Sequence, residues 1–399
     1  MPDWKRFVRV MSLLLLSGVL LSVFLLHSLY LWIPSWSGFV GDALFRIAYF
    51  ATVPLRPLAL FVFPPDGHHW SFAHHVFTAM SAPFAYYGIW LLYRGFRRWI
   101  ATRPRLVSSS EGVALSRRAF LGRSAAGMTS VMGSGFVGYV SIVSPQRICV
   151  RHYKMPVKDL PQGLDGMRLV QIADTHYGPY VPLHYLEDVI EQANGLGGDL
   201  MVLTGDYVHY TPDSIEDGVG VLRHLQAPLG LVGVLGNHDH WEGADAVRAR
   251  FSKTAVRLID NDRVYLTSSG ISDRPGGRDT LCLSGVGDLW EDKVSFYKAL
   301  DGVPQTMPRL LLSHNPDVAE LLDETYRVDA MFCGHTHGGQ VLIPGIHPIV
   351  PSRYGTKYLG GVCKGPYCPV VVSRGIGLTV LPVRFRVPPE LVTIDLARA

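Results

Sequence analysis

Two textures divide the chain. Up to about residue 146 apolar residues run on with few polar interruptions, whereas from about residue 165 they come in short runs that end in polar clusters. Val10–Gly41, Gly67–Tyr93 and Ser124–Gln146 contain no Asp, Glu, Lys or Arg. Each run exceeds the ~20 residues a helix needs to cross the hydrocarbon core of a bilayer. The first, MSLLLLSGVLLSVFLLHSLYLWI, also lacks the polar face that a helix on a soluble core keeps, and predicts a span over about 11–33. The second, which includes His74 and His75, predicts a span over about 71–93. The third, rich in Gly, Ala and Ser, predicts a signal-like span over about 124–144. Residues 39–63 are apolar as well, but Arg46, Pro54, Arg56 and Pro57 interrupt them. Proline breaks the helical hydrogen-bond ladder, so this segment reads as interfacial or re-entrant.

Charge gives the orientation. Eight Arg and one Glu lie between Arg94 and Arg123. Short basic loops stay in the cytoplasm, as does an N-terminus carrying Lys5, Arg6 and Arg9. Three spans then deliver everything after about residue 147 to the outside. The chain is thereby divided into a membrane region, 1–146, and a soluble region, 147–399. Ser116-Arg117-Arg118-Ala119-Phe120-Leu121 resembles a twin-arginine export signal, and the translocase that reads such signals becomes a candidate partner. The alternative is an ordinary basic flank of a membrane helix, and both readings give the same topology.

Composition changes the picture only once it is mapped. Of 399 residues 48% are hydrophobic and 18% charged, below the ~25% charge usual for a soluble domain. The formal net charge of +4 splits into +9 for residues 1–146 and −5 for the remainder. The basic balance therefore belongs to the flanks of membrane spans and gives no reason to expect a nucleic-acid surface.

In the second region, Met167–Ala173, Leu200–Thr204, Leu231–Leu235, Leu281–Val286, Arg309–Ser313, Ala330–Cys333, Val370–Ser373 and Leu391–Ile394 read as buried strands. Leu183–Asn194, Ser214–Leu225, Ala244–Phe251 and Asp317–Leu322 read as helices. Strands separated by helices or loops predict an α/β domain. Five strands are followed by chemistry: Asp174-Thr175-His176, Gly205-Asp206, Gly236-Asn237-His238-Asp239, His314, and Gly334-His335-Thr336-His337. The C-terminal edge of an α/β sheet is where ligands bind. So many polar groups at one edge carry a desolvation cost unless something satisfies them. A pair of divalent metals does so, and carboxylate, imidazole and amide oxygen ligands without thiolates suit Mn, Fe or Zn in a non-structural role.

The ordered set DTH, GD, GNHD, SH and GHTH resembles the calcineurin-like metallophosphoesterases over about 165–396. The stretches GHTHGGQ, SRYGTKY and VSRGIGLTVLPVRFRVPPEL look like a bacterial branch that is membrane-attached or exported, some members carrying twin-arginine signals. The resemblance implies a four-layer α/β/β/α sandwich with metals at the edge of two sheets. It implies that Asp174, His176 and His337 hold one metal, that Asn237, His314 and His335 hold the other, and that Asp206 bridges them. His238 becomes the general acid or the donor to a phosphoryl oxygen, and Asp239 the residue that orients His238. His209, where some relatives carry an acidic or small residue, is expected at the rim.

The implied activity is hydrolysis of a phosphomonoester or phosphodiester by in-line attack of a hydroxide shared by the metals, at the outer face of a bacterial inner membrane. One alternative is a pyrophosphatase acting on a lipid-bearing nucleotide sugar. Another is a metal-binding sensor without catalysis. Arg353, Arg374 and Arg384 are candidates to touch phosphate, against the alternative of binding backbone carbonyls or lying exposed. Cys363 and Cys368 pair in an oxidising compartment or remain free thiols.

Overall fold

The computed structural model describes Phe136 and residues 139–399, apart from Arg278, Val380 and Leu381. The spans expected at 11–33 and 71–93, most of that at 124–144, and the Arg117–Arg118 pair lie outside the described residues. Among the described residues no helix is long and apolar enough to cross a membrane.

Two mixed sheets face each other. The first contains β1 (Cys149–Val157), β2 (Arg168–Ile172), β3 (Leu200–Thr204), β4 (Leu231–Val234), β5 (Val256–Leu258) and β13 (Glu390–Arg398), in the order β1-β13-β2-β3-β4-β5. All its neighbours are parallel except the antiparallel pair of β13 and β2. The second contains β6 (Asp262–Thr267), β7 (Gly270–Ser272), β8 (Leu281–Gly285), β9 (Arg309–Leu312), β10 (Ala330–Cys333), β11 (Gly361–Lys364) and β12 (Pro369–Val372), in the order β11-β12-β10-β9-β8-β6-β7. Its four central strands, β12, β10, β9 and β8, are mutually parallel.

Alternation along each strand sorts side chains into layers. Leu169, Leu200, Val202, Val232 and Val234 of the first sheet share one buried cluster with Leu283, Leu310, Leu312, Phe332 and Val371 of the second. The opposite face of the first sheet, including Val170, Ile172, Met201 and Leu203, packs on Leu186, Val189 and Ile190 of α1 (Leu183–Gly195). Val219 of α2 (Ser214–Gly220) and Val247 and Phe251 of α3 (Asn237–Phe251) join the same cluster. The outer face of the second sheet, with Leu311, Met331, Val370 and Val372, packs on α4 (Phe296–Leu300) and on the 3-10 turn Pro316–Leu321. Helices thus cover both outer faces of a two-sheet core. Strands buried on both faces read as unbroken apolar runs such as LMVLT.

The structure differs from sequence expectation at several boundaries. Helix α3 begins at Asn237, ahead of the expected Ala244, and is kinked at Gly243. The helix expected from Ser214 ends at Gly220 and continues as a 3-10 turn to His224. All five cysteines are free thiols.

Candidate metal centre

Parallel pairing fixes the site. Strands β2, β3 and β4 lie side by side and end in register, as do β9 and β10 of the other sheet. Backbone bonds carry the register past the strand ends: Asp174 N donates to Gly205 O (2.9 Å), His176 N to Asp206 O (3.0 Å), and Gly334 N to His314 O (3.0 Å).

The side chains converge in two groups joined at one carboxylate. Asp174, His176 and His337 form one, and Asp206, His314 and His335 the other. In the first, His337 Nε2 lies 2.9 Å from His176 Nε2 and 3.4 Å from Asp174 Oδ1. In the second, His314 Nε2 lies 3.1 Å from Asp206 Oδ2, 3.0 Å from His335 Nδ1 and 3.2 Å from Asn237 Oδ1. The same Asp206 Oδ2 is 3.4 Å from His176 Nε2, so this oxygen touches both groups. All seven side chains are buried.

Three observations test whether this donor set fits metal ions. Asp174, His176, Asp206, His335 and His337 all have positive φ, between 45° and 72°. Left-handed backbone in a non-glycine residue costs about 1–3 kcal/mol and persists only where the surroundings enforce it. Asp174 Oδ2, His176 Nδ1 and His335 Nε2 are buried without a hydrogen-bond partner, which native interiors rarely tolerate. Burial pushes His176, His335 and His337 well below the usual imidazole range, which keeps them neutral with a lone pair to give. At His314 burial also opposes charge, but the carboxylates of Asp206, Asp174 and Asp288 outweigh it and hold the ring up to about 10. That proton sits between groups that a cation would bind equally well. Burial raises Asp174 to about 7, with the Asp206 charge adding to it. The donor set fits divalent cations.

Glycine spacing makes room for this convergence. A Cβ on Gly236 would collide with the Asp206 carboxylate and lie 2.8 Å from His314 Nδ1. One on Gly334 would collide with the Asp174 carboxylate.

His238 lies at the edge of the cluster. Its backbone N–H donates to Asp206 Oδ1 (2.8 Å), and its ring lies 4.7 Å from that of His176 and 4.4 Å from that of Trp241. His209 is the surprise. It is buried, with its Nδ1 2.6 Å from His238 Nδ1, and it forms a third imidazole group with His176 and His238. The bond from His209 N to Tyr177 O (3.0 Å) turns it inward from the expected rim.

Asp239 corrects another expectation. Its carboxylate makes no hydrogen bond to His238. It accepts from the backbone N–H groups of Asp206 (2.8 Å), Tyr207 (2.8 Å), Val208 (3.4 Å) and Gly236 (2.9 Å), so it holds the loop that carries Asp206. The reason is geometric: as the third residue of α3, it faces back toward the helix N-terminus and not toward its neighbour's ring. Asp288 was missed by sequence reasoning. It follows β8, is fully buried, and lies close enough to His314 to raise its pKa. The Gly287-Asp288 pair after an apolar run repeats the Gly205-Asp206 pattern and was the available signal. Trp290 also went unread; its ring stands 4.4 Å from that of His335.

The arginines divide. Arg384 is buried and donates to the carbonyls of Arg374, Gly375, Gly377 and Val387. Arg374 pairs with Glu390 at 2.9 Å. Arg353 is exposed.

A family model described as calcineurin-like phosphoesterase matches residues 167–339, a range that holds every member of the cluster. The chain is 32% identical over 297 residues to the uncharacterized metallophosphoesterase YkuE of Bacillus subtilis, covering 71% of this chain and 98% of that one. The chain belongs to the calcineurin-like metallophosphoesterases. Phosphodiesterase YaeI of Escherichia coli is 29% identical over 71% of this chain and 99% of its own length. UDP-2,3-diacylglucosamine pyrophosphatase LpxG of Chlamydia trachomatis is 28% identical over 45% of this chain and 66% of its own. Membership makes this metallophosphoesterase a metal-dependent phosphoric ester hydrolase.

Proposed function

We propose that this chain is a dinuclear phosphoesterase, tethered by residues 1–146 to the bacterial inner membrane with residues 147–399 outside the cytoplasm. The observation that carries the dinuclear reading is Asp206 Oδ2, within 3.4 Å of His176 Nε2 on one side and 3.1 Å of His314 Nε2 on the other. Asp174, His176 and His337 would hold one cation, Asn237, His314 and His335 the second, and Asp206 both. Two bound divalent ions supply charge for phosphoryl oxygens and lower the pKa of water toward neutrality.

The chain's own groups do the rest. His238 commits Nδ1 to His209 and leaves Nε2 for a phosphoryl or leaving oxygen. Asp239 fixes the Asp206 loop by accepting from the backbone N–H groups of Asp206, Tyr207 and Val208, and ties it to Gly236 through a fourth. Trp241 and Trp290, both exposed, flank the centre edge-on to His238 and His335 and offer apolar surface to a substrate's non-phosphate part. Membrane attachment is supported by Ser124–Gln146, an uncharged run that leads straight into β1.

The test is hydrolysis of bis(p-nitrophenyl) phosphate by the full chain loaded with Mn²⁺. His238→Ala should lower kcat by about 10²–10⁴-fold, the usual general-acid contribution. Asp206→Asn should abolish activity and reduce bound metal. Full activity in both variants would sink the proposal. Protease added to cells with a permeabilised outer envelope should cut the soluble region, and protection there would overturn the orientation. A lipid-linked pyrophosphate belongs in the substrate panel, because LpxG is named for one.

A further inference from the structure

The loop that follows the last candidate ligand is built for a different surface. Residues 338–352 contain no Asp, Glu, Lys or Arg. Within them Ile343, Ile346 and Ile349 are 46%, 62% and 81% exposed. Single exposed isoleucines need no explanation, but three at intervals of three residues on one uncharged loop form a patch.

The patch continues into the segment where the described chain emerges. Val341 pairs with Phe385 in a parallel bridge, and Leu342 N donates to Phe385 O (3.0 Å). The Phe385 ring meets Phe136 edge-on at 5.2 Å, and Arg384 N donates to Val140 O (3.0 Å). Phe136, Tyr139 and Val143 are themselves 51%, 43% and 53% exposed. They belong to the uncharged run Ser124–Gln146, long enough to cross a bilayer. The chain therefore enters the domain beside the isoleucine loop.

Exposed arginines bracket both stretches: Arg147 follows the first, Arg353 the loop, and Arg386 is adjacent to Phe385. Apolar side chains with basic neighbours are the composition of an interfacial membrane contact. The loop also borders the metal centre. A Cβ on Gly339, two residues after His337, would lie 3.1 Å from Pro348 Cβ and 3.2 Å from Ile349 O.

We infer that Ile343, Ile346 and Ile349, together with Phe136, Tyr139 and Val143, form a lipid-contacting face that seats the domain on the bilayer and brings the metal centre to the headgroup layer. This inference rests on the membrane attachment proposed above. It extends that proposal by giving the soluble domain, through its isoleucine loop, a membrane contact of its own beside the tether to which Phe136, Tyr139 and Val143 belong. A phosphoester carried by a lipid headgroup would then reach the centre without leaving the bilayer.

The test uses the full chain in nanodiscs with Cys149→Ser and Cys363→Ser, the two cysteines that are not buried. A bimane label is placed at Ile346→Cys, at Ile349→Cys, or at Glu324→Cys. Glu324 is exposed and precedes β10, at the strand end opposite His335. Lipids brominated near the headgroup should quench the labels at 346 and 349 about twofold, as expected for side chains seated ~5–10 Å into the interface, and leave the label at 324 unchanged. Equal emission at 346, 349 and 324 in brominated and plain lipid would overturn the inference. So would a blue shift at 346 that ignores bromination, which would identify a protein partner or a second copy on this face. An unchanged far-ultraviolet dichroism spectrum and thermal unfolding midpoint verify that each labelled protein is folded, and hydrolysis of bis(p-nitrophenyl) phosphate is measured separately. Quenching without any hydrolysis would uphold the docking face and overturn the phosphoesterase reading alone.

Discussion

His209 and His238 meet nitrogen to nitrogen, their Nδ1 atoms 2.6 Å apart, so one ring donates and the other accepts. Burial pushes His209 down to about 3, which keeps it neutral. Its Nε2 is buried without a partner, and a bare nitrogen is cheaper to leave unpaired than an N–H. The proton of His209 therefore belongs on Nδ1, and that of His238 on Nε2, the form that donates to a phosphoryl oxygen. His209→Ala should lower kcat about tenfold to a hundredfold, less than the full general-acid contribution, with KM and bound metal nearly unchanged. His209→Asn, which keeps a donor, should recover part of the loss. Steady-state kinetics with metal analysis of each variant decides the matter; loss of metal in step with kcat would count against it.

Asp239 should behave as a structural carboxylate. Asp239→Asn turns an amide toward backbone donors and leaves at least one buried N–H without an acceptor, at about 1–3 kcal/mol. Urea unfolding of the metal-loaded protein should reveal this loss, together with weaker metal binding. A fall in kcat at unchanged stability would mean that Asp239 acts on His238 after all.

Metal affinity should rise with pH, and more steeply at low pH. In the metal-free site Asp174 is raised to about 7 and His314 to about 10. Both lie above their ordinary values, so both hold protons at low pH that a cation must displace. Below about pH 7 two protons leave, and affinity should climb about 100-fold per pH unit; above it one leaves, and the slope should fall to about tenfold. Competition titrations with a chelator at several pH values measure the slope, and a flat profile would contradict the protonation scheme.

Gly236→Ala isolates the steric demand of the centre. Gly236 has φ −109° and ψ 176°, which any residue adopts, so its backbone is not the constraint. The added methyl would collide with the Asp206 carboxylate and approach His314 Nδ1 to 2.8 Å. The variant should keep its far-ultraviolet dichroism while losing tight metal binding and most activity. Normal metal binding would imply that Asp206 has room to move.

Much of this arrangement was legible because both faces of the central strands are buried. LMVLT at β3 and AMFC at β10 read as strands without ambiguity, and each polar cluster follows at once. The edges were harder. Strand β1, CVRHYKMPV, mixes Arg151, His152 and Lys154 among its apolar residues and is partly exposed, so it lacks the apolar run that marks its neighbours. Strands β5 and β7 have three residues each, too short for any period to register. At the centre, residue type was readable and direction was not. His209 and Asp239 were both noticed, but whether a side chain faces its neighbour or the next loop depends on backbone dihedrals. The inward turn of His209 follows from its pairing with Tyr177, a contact made across loops.

The place of β13 has a consequence for the timing of assembly. Strands β1 and β2 are close in sequence, yet Glu390–Arg398 lies between them, parallel to one and antiparallel to the other. The gap next to the strand that leads into Asp174 can be filled only after residue 398 has left the ribosome. This contact spans more than 200 residues, so the sheet cannot close by sequential growth from its first strand. Under the orientation proposed above, the export machinery would meet either a finished polypeptide or an open sheet with an unpaired strand edge. A chain shortened by its last strand would expose that edge for pairing with other chains.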